Sequence, residues 1–430
     1  MVRATSRARN MPFVAGAAGI ALLSLVYYIL TWQTFTTVID FCSKQFCDFV
    51  DYYYPMGEAI FRTGVPVPGF LYSPFIAILL AVFPPLGLNT ALALWGVLQV
   101  LFVVFYIVLF RRLVPAGLPI QLLFVALTLS SFPLPFNFMG GQVSVFIVVP
   151  LLGLLVLHER GRHVAAAALL AFAVSFKFFP LIFLAPFAAR RDTRFILLAV
   201  AACGAFLFVV PGVFLGVGDT LRFYGVLLDS FRESDWVVAN VHSQYLPHLV
   251  LRLADAAGFD VHTYLPVLRW IAYGVAAANL GLLVLVQRVR LRHANLWSFQ
   301  LLFLTIPFVL KTSWPHDFVF LPFAQALVAW WLLEGEEVVM ETDTAAKRPQ
   351  ASAWRERIPR ARAAVTLFLL LPSIVISNIV FFNVLGHFSG YGFCGCLFWA
   401  DLLLLIASYV VLLPAILRWL RSDALLLTEG

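Results

Sequence analysis

The chain has 430 residues, of which 62% are hydrophobic and only 12% charged, and its formal net charge is +7. This composition excludes an ordinary soluble domain and indicates an all-α polytopic membrane protein. The apolar runs are about 17 to 25 residues long, enough to cross a ~30 Å hydrocarbon core, and they lack the alternation of a membrane β-barrel. The basic residues fall in short loops, so they indicate membrane topology and not nucleic-acid binding.

The basic loops predict which ends of the spans face the cytoplasm, and the first basic segment precedes a retained span, since no cleavage site follows it. Two segments, 70–86 and 164–189, do not fit simple crossings, and we expect broken or re-entrant helices in them at 72–74 and 177–180. The total is about 11 to 13 transmembrane helices. The clear spans are predicted at 12–31, 88–110, 117–133, 142–158, 194–214, 266–287, 296–310, 318–333, 364–383 and 397–417.

The loops between the basic ones are predicted to lie on the outer face, where both broken helices would line one cavity. These loops are 32–69, 134–142, 215–265, 311–317 and 384–396. We divide the chain into a bundle at 1–333, a polar cytoplasmic linker at 334–363 and a C-terminal helix pair with an outer loop at 364–430. No internal repeat is evident, which disfavours a transporter built from duplicated halves.

Four of the five cysteines fall in predicted outer loops, and Cys203 lies in an apolar run as an inert core residue. An oxidising compartment would permit a disulfide between Cys42 and Cys47, or from either of them to Cys394 or Cys396. The sequence does not choose between these pairings. A four-cysteine zinc site is the alternative.

Two carboxylates, Asp48 and Asp51, follow the first span and are surrounded by aromatic residues. Their spacing of three would place both on one face of a helix, with Tyr52 and its neighbours forming an interface-seeking surface. A carboxylate that aromatic residues partly desolvate is suited to act as a general base toward a sugar hydroxyl. The alternative is a solvated loop end with interfacial tyrosines.

A second group of polar residues lies between two late apolar runs, where Trp314, His316 and Asp317 stand within a short turn. His316 could shuttle a proton or contact a phosphate, and Asp317 could orient it. In the turn that ends at Gln142, two glycines would allow close backbone approach and the Gln142 amide could bind a sugar or a phosphate oxygen. The alternatives are a solvated loop histidine and a plain tight turn.

Lys177 interrupts an apolar run, and a buried ammonium requires a partner. A lipid phosphate would serve, and a salt bridge to a structural acid is the alternative. The outer loop 215–265 contributes Arg222, His242 and Gln244, which are candidate contacts for a diphosphate or an anionic acceptor headgroup. Interfacial anchoring is the other interpretation of this loop.

Several of these segments together resemble glycosyltransferase family 87. The segment DFxxYY from Asp48 and the segment YSPF from Tyr72 resemble the opening motifs of the family. GQVS from Gly141, KFFP from Lys177 and SWPH from Ser313 resemble three later elements, in the same order. Two departures are the Tyr-Ser-Pro in place of Tyr-Pro-Pro, and a His-Ser-Gln segment where the family has Asn-Gln-Ser.

The resemblance implies a GT-C catalytic bundle and an inverting transfer from a polyprenyl-phosphate sugar, with mannose as the first candidate, to a lipid or glycan hydroxyl. It implies Asp48 as the base and His316 as its helper, at the periplasmic face of a bacterial inner membrane. No nucleotide, cofactor or divalent metal is expected. The alternatives are an arabinofuranosyl or other sugar transferase, and a flippase for lipid-linked glycans. The candidate substrate-binding residues are Asp51, Tyr52, Tyr72, Gln142, Lys177, Arg222, His242, Gln244 and Trp314.

Overall fold

A computed structural model describes residues 2–30, 45–232, 240–260, 262–334 and 359–428 of the chain. Cys42 and most of the predicted linker lie outside the described residues. Helices make up 81% of the structure, and the described part of the chain contains no strand. The protein is therefore an all-α polytopic membrane protein, as the composition predicts.

Proline stands in the first turn of many helices, where its missing N–H leaves no hydrogen bond unmade. Pro74, Pro133 and Pro247 are examples. In chain order, the α-helices are Val2–Leu30, Tyr54–Thr63, Pro74–Leu80, Leu88–Leu113, Leu118–Ser130, Pro133–Gly140, Val145–Glu159, His163–Phe176, Ala185–Ala189, Thr193–Gly204, Val210–Leu215, Val217–Arg232, Leu246–Ala256, Leu265–Arg288, Ala294–Phe303, Ile306–Val309, Leu321–Glu334, Arg360–Ile376, Ile379–Val384 and Cys396–Thr428.

Among the described residues, five helical segments are long and apolar enough to cross a membrane: Leu88–Leu113, Thr193–Leu215, His262–Arg288, Pro315–Glu334 and Cys396–Arg421. A sixth candidate is the pair Pro133–Gly140 and Val145–Glu159, bent by 119°. The predicted spans 296–310 and 364–383 are each interrupted by a helix end, so they are not continuous helices. The number of complete crossings therefore stays a prediction.

Both predicted helix breaks are present and lie side by side. The helix Pro74–Leu80 begins only after an irregular segment, and His163–Phe176 ends at Lys177, whose backbone is extended. The Ser73 N–H donates to the Ser175 carbonyl at 3.2 Å, so a backbone hydrogen bond joins the segment before Pro74 to the last turn of the helix His163–Phe176. Such pairing is what an interruption inside an apolar bundle requires.

The core of the bundle is an antiparallel pair of helices, Val145–Glu159 and His163–Phe176, which we call the central hairpin. Its first helix is buried almost from end to end, because its apolar residues surround the whole helix and not one stripe. The helices Leu88–Leu113 and Thr193–Gly204 pack against this hairpin. The central hairpin therefore positions the polar residues at both of its ends.

The two long C-terminal helices pack against each other and against Leu321–Glu334. They are Arg360–Ile376 and Cys396–Thr428. The Gln325 amide donates to the hydroxyls of Ser373 at 3.2 Å and Ser377 at 2.9 Å, which joins the predicted bundle to the predicted C-terminal pair by buried hydrogen bonds. The three-part division of the chain stays a prediction, since its linker lies largely outside the described residues.

Candidate active site

Asp48 is a buried carboxylate at the start of a π-helical turn, Phe49–Tyr53, that runs into the helix Tyr54–Thr63. Single π turns are frequent at functional sites. Asp48 is only 7% exposed, and the neighbouring Phe49 packs against the ring of Trp95 at 4.8 Å. Aromatic packing thus removes this carboxylate from water.

The side chain of Gln142 bridges Asp48 to a pair of tyrosines. Its amide nitrogen donates to Asp48 Oδ2, and its amide oxygen accepts a hydrogen bond from the Tyr53 hydroxyl at 3.2 Å. The hydroxyls of Tyr53 and Tyr72 lie 2.8 Å apart. The predicted substrate-binding residues Gln142 and Tyr72 therefore belong to the network that holds the carboxylate.

Gly141 allows this close approach of the two segments. Its φ is +67°, a conformation that side chains rarely adopt, and a Cβ there would meet Phe46 at 3.0 Å. The Phe46 N–H donates to the Met139 carbonyl at 2.7 Å, so the Asp48 segment is tied to the same turn. The close approach at Gly141 is therefore to Phe46 and Phe49 of the Asp48 segment.

Asp51 does not lie on one face with Asp48, because the π turn changes the helical spacing. Asp48 is buried and Asp51 is exposed. Burial, and after it the charge of Asp51, raises the pKa of Asp48 to about 7. A carboxylate with this pKa can accept a proton near neutral pH and return it to water afterwards.

A second buried carboxylate, Asp317, is the centre of the late polar turn. Its Oδ1 accepts hydrogen bonds from Lys177 Nζ at 2.5 Å and from the Ser144 hydroxyl at 3.1 Å. Its Oδ2 accepts a hydrogen bond from the Trp314 N–H at 3.3 Å. The salt bridge, which was the alternative interpretation of Lys177, is therefore present.

His316 lies between the ring of Phe136 and the carboxylate of Asp317. Its ring is parallel to that of Phe136 at a centroid distance of 6.0 Å, whereas its Nε2 lies 3.8 Å from Asp317 Oδ1. Lys177 and Ser144 hydrogen-bond to the same Oδ1 atom, so the orientation of His316 by Asp317 stays a prediction. The buried His316 Nδ1 has no hydrogen-bond partner among the described residues, as expected of a group that awaits a ligand.

Buried amides connect the two carboxylate centres. The Gln99 amide donates to the Gln142 carbonyl at 2.6 Å and accepts from Asn137 at 2.9 Å. The Asn137 side chain in turn accepts from the Ser144 N–H at 3.0 Å, and Ser144 donates to Asp317. Sequence reasoning missed Gln99, although an amide in a transmembrane run is the kind of signal that marks a functional interior.

Three of the other predicted residues, Trp314, His242 and Gln244, lie near His316. The rings of Trp314 and His242 lie about 6 Å from each other, and Trp314 is 6.1 Å from His316, so these three form one aromatic cluster. Burial, and after it the charge of Arg252, lowers the pKa of His242 to about 4. Gln244 lies beside the same turn, since its N–H donates to the Ser313 carbonyl at 2.9 Å.

Tyr52 and Arg222 are placed at the edge of this region. The ring of Tyr52 lies directly against Gly69, where a side chain would collide with it. Arg222 is exposed and donates to the Thr63 carbonyl at 2.5 Å, with Asp219 at 3.7 Å. Arg222 thus contacts the end of the helix Tyr54–Thr63.

The cysteines exclude the four pairings with Cys394 or Cys396 that the sequence leaves open. Cys47 is disulfide-bonded, whereas Cys203, Cys394 and Cys396 are free thiols. A disulfide between Cys47 and the late loop is therefore wrong, and so is a four-cysteine zinc site. The disulfide sulfur of Cys47 lies 3.8 Å from Asp48 Oδ1, so the bond constrains the backbone beside the carboxylate.

The fold and the site define a polytopic membrane protein with two linked, buried carboxylate centres at interrupted helices. The model of glycosyltransferase family 87 matches residues 70–313, more than half of the chain. The chain therefore belongs to glycosyltransferase family 87 and is a glycosyltransferase. No curated protein and no solved structure matches it.

The ion pair generates a stability prediction. We expect Lys177→Met and Asp317→Asn each to destabilise the protein, by about 3–5 kcal/mol where an unpaired charge is left buried. The double variant should lose less than the sum of the single losses, because it removes both charges. Thermal unfolding of the purified variants in detergent measures this, and strictly additive losses would contradict the pairing.

Proposed function

We propose that the protein transfers a sugar, with mannose as the first candidate, from a polyprenyl-phosphate donor to a lipid or glycan hydroxyl. The supporting observation is the buried carboxylate of Asp48, whose pKa is raised to about 7 and whose Oδ2 is held by Gln142. A general base requires a group that is unprotonated near the working pH and still basic enough to accept a proton. The proposal includes a GT-C bundle and inversion at the anomeric carbon.

In the proposed step, Asp48 accepts the proton of the acceptor hydroxyl. The hydroxyl oxygen attacks the anomeric carbon, and the bond from that carbon to the phosphate oxygen breaks on the opposite face. The electron pair of that bond leaves with the lipid phosphate. Gln142 and the tyrosine pair keep the carboxylate in one orientation during this step.

The leaving phosphate would lie at the second centre. Lys177 retains N–H donors beyond the one that binds Asp317, and its side chain is 15% exposed. The Nδ1 of the buried His316, which has no partner in the described part of the chain, offers a further contact for a phosphate oxygen. A lipid monophosphate can leave with protein cations alone, so the proposal requires no nucleotide and no divalent ion in the transfer.

The proposed location is the outer, periplasmic face of a bacterial inner membrane. It is supported by the basic loops, whose arrangement predicts the Asp48 loop and the turns at Gln142 and His316 on the same side. Arabinose or another sugar remains the alternative donor group. Family membership favours an enzyme over a flippase.

The first test is transfer by purified Asp48→Asn protein, assayed with a panel of polyprenyl-phosphate mannose, glucose and arabinose. We expect a loss of at least about 100-fold, since general-base catalysis contributes about 10²–10⁴-fold. Asp51→Asn is the matched control, because Asp51 is exposed, and it should keep most of the activity at neutral pH. Full activity in Asp48→Asn would exclude Asp48 as the base. If the parent protein transfers glucose or arabinose but not mannose, the mechanism stands and the donor sugar changes.

The second test is the pH dependence of transfer. Asp48 must be deprotonated to act, so activity should rise with pH through about 7. Because the charge of Asp51 contributes to this raised pKa, Asp51→Asn should move the rise to lower pH, by less than the full shift since burial is the larger cause. Glu58→Gln, which removes an exposed carboxylate paired with Arg62, should leave the profile unchanged. A profile that is identical in all three proteins would contradict the assignment.

A further inference from the structure

At the other end of the central hairpin, three potential metal ligands converge. His158 lies in the last turn of Val145–Glu159, His163 begins the next helix, and Asp192 caps Thr193–Gly204. One ligand atom from each of the three side chains lies within 4.8 Å of the others. Three chain segments that meet only through tertiary packing thus bring two imidazoles and one carboxylate together.

The side chains of this cluster are already oriented toward one another. His158 Nε2 lies 2.8 Å from Asp192 Oδ2, and the two histidine rings are 4.7 Å apart. Asp192 Oδ1 accepts a hydrogen bond from the Phe195 N–H at 3.1 Å, which fixes the direction of the carboxylate. Supporting hydrogen bonds of this kind typically position metal ligands.

His163 supplies an independent observation. Its Nδ1 is buried and has no hydrogen-bond partner within the part of the chain that the structure describes. A buried ring nitrogen without a partner costs free energy unless a ligand binds there. Aromatic rings of Phe187 and Phe195 pack on His158 at 4.5 and 4.8 Å and enclose the cluster from the protein side.

The donor set determines the kind of ion. Two imidazole nitrogens and one carboxylate oxygen suit a borderline divalent cation such as Zn²⁺. Zinc bonds of about 2.0–2.1 Å place tetrahedral ligand atoms about 3.3 Å apart, so a small side-chain rotation completes the site. The His158 and Asp192 side chains are 14% and 28% exposed, which leaves a path for the ion and a position for water.

The surrounding charges do not prevent binding. Arg190 is near His158, but its guanidinium donates to Gln287 on the helix Leu265–Arg288, and Glu159 lies within its electrostatic range. The carboxylate of Asp192 balances one of the two charges of a divalent ion, and the imidazoles bind as neutral ligands.

We propose that His158, His163 and Asp192 bind one Zn²⁺ ion, or a divalent ion of similar chemistry, that braces the central hairpin. Ser144 precedes the first helix of this hairpin and Lys177 follows the second. The ion would therefore stabilise the two helices that position Ser144 and Lys177 at the opposite end. A helix of this length separates the two ends by about 21 Å. The ion is structural and takes no part in the transfer, and the proposal does not depend on the proposed function.

The test measures Zn²⁺ binding to the full chain, purified without a polyhistidine tag and stripped with a chelator. We expect one Zn²⁺ per chain by elemental analysis, and a thermal midpoint that rises on adding Zn²⁺. His163→Gln and Asp192→Asn should each weaken binding by more than about 100-fold, since even the outer partners of zinc ligands contribute about 10- to 100-fold. Asparagine can still cap the helix, so Asp192→Asn should fold.

His262→Gln is the matched control, because His262 and Asp255 form a similar histidine–aspartate pair at 3.0 Å on an exposed surface. It should leave the zinc stoichiometry unchanged. The proposal fails if the parent protein binds no Zn²⁺, or if His163→Gln and Asp192→Asn bind it as tightly as the parent. In either case the His158–Asp192 contact is an ordinary hydrogen bond between helix ends.

Discussion

The arrangement of the site depends on the cost of burying carboxylates in an apolar bundle. Asp48 and Asp317 are both almost fully buried, and each must receive hydrogen bonds or remain protonated. Asp317 receives an ammonium, a hydroxyl and a backbone N–H. Among the residues that the structure describes, Asp48 receives one strong donor, from Gln142, and it faces the charge of Asp51. This difference leaves Asp48 as the carboxylate that can exchange a proton.

Interrupted helices make this arrangement possible. The breaks before Pro74 and at Lys177 are joined by the hydrogen bond from the Ser73 N–H to the Ser175 carbonyl, and they bring Tyr72 and Lys177 into the interior. The turn at Gly141 likewise brings the side chain of Gln142 into the interior. Because all of these segments adjoin the central hairpin, a substitution in one of them should affect the others through shared hydrogen bonds.

Much of the fold was predictable from composition and from local signals. Long apolar runs indicated the helical membrane class. The orientation set by the basic loops predicted both broken helices, and Lys177 and Pro180 lie inside the second. The spans 296–310 and 364–383 were predicted as continuous, yet Pro307 stands in the first turn of a new helix and Asn378 caps another.

The site was only partly predictable. Residue types identified Asp48, Lys177 and His316 as candidate site residues. Their hydrogen-bond partners come from distant segments of the chain and depend on the tertiary fold. The salt bridge between Lys177 and Asp317 joins residues 140 positions apart, and no local spacing reports such a contact. The π turn that separates Asp51 from Asp48 was missed for a different reason, because a three-residue spacing assumes an ordinary α-helix.

The most direct measurement is the titration of the Asp48 carboxyl group itself, by infrared difference spectroscopy of the parent protein against Asp48→Asn across neutral pH. We expect a protonated carboxyl band that is absent from the variant and that disappears from the parent spectrum with a midpoint near pH 7. A carboxylate already ionised at its ordinary pKa, about 3 units lower, would contradict the claim that Asp48 is a buried base held ready for proton transfer.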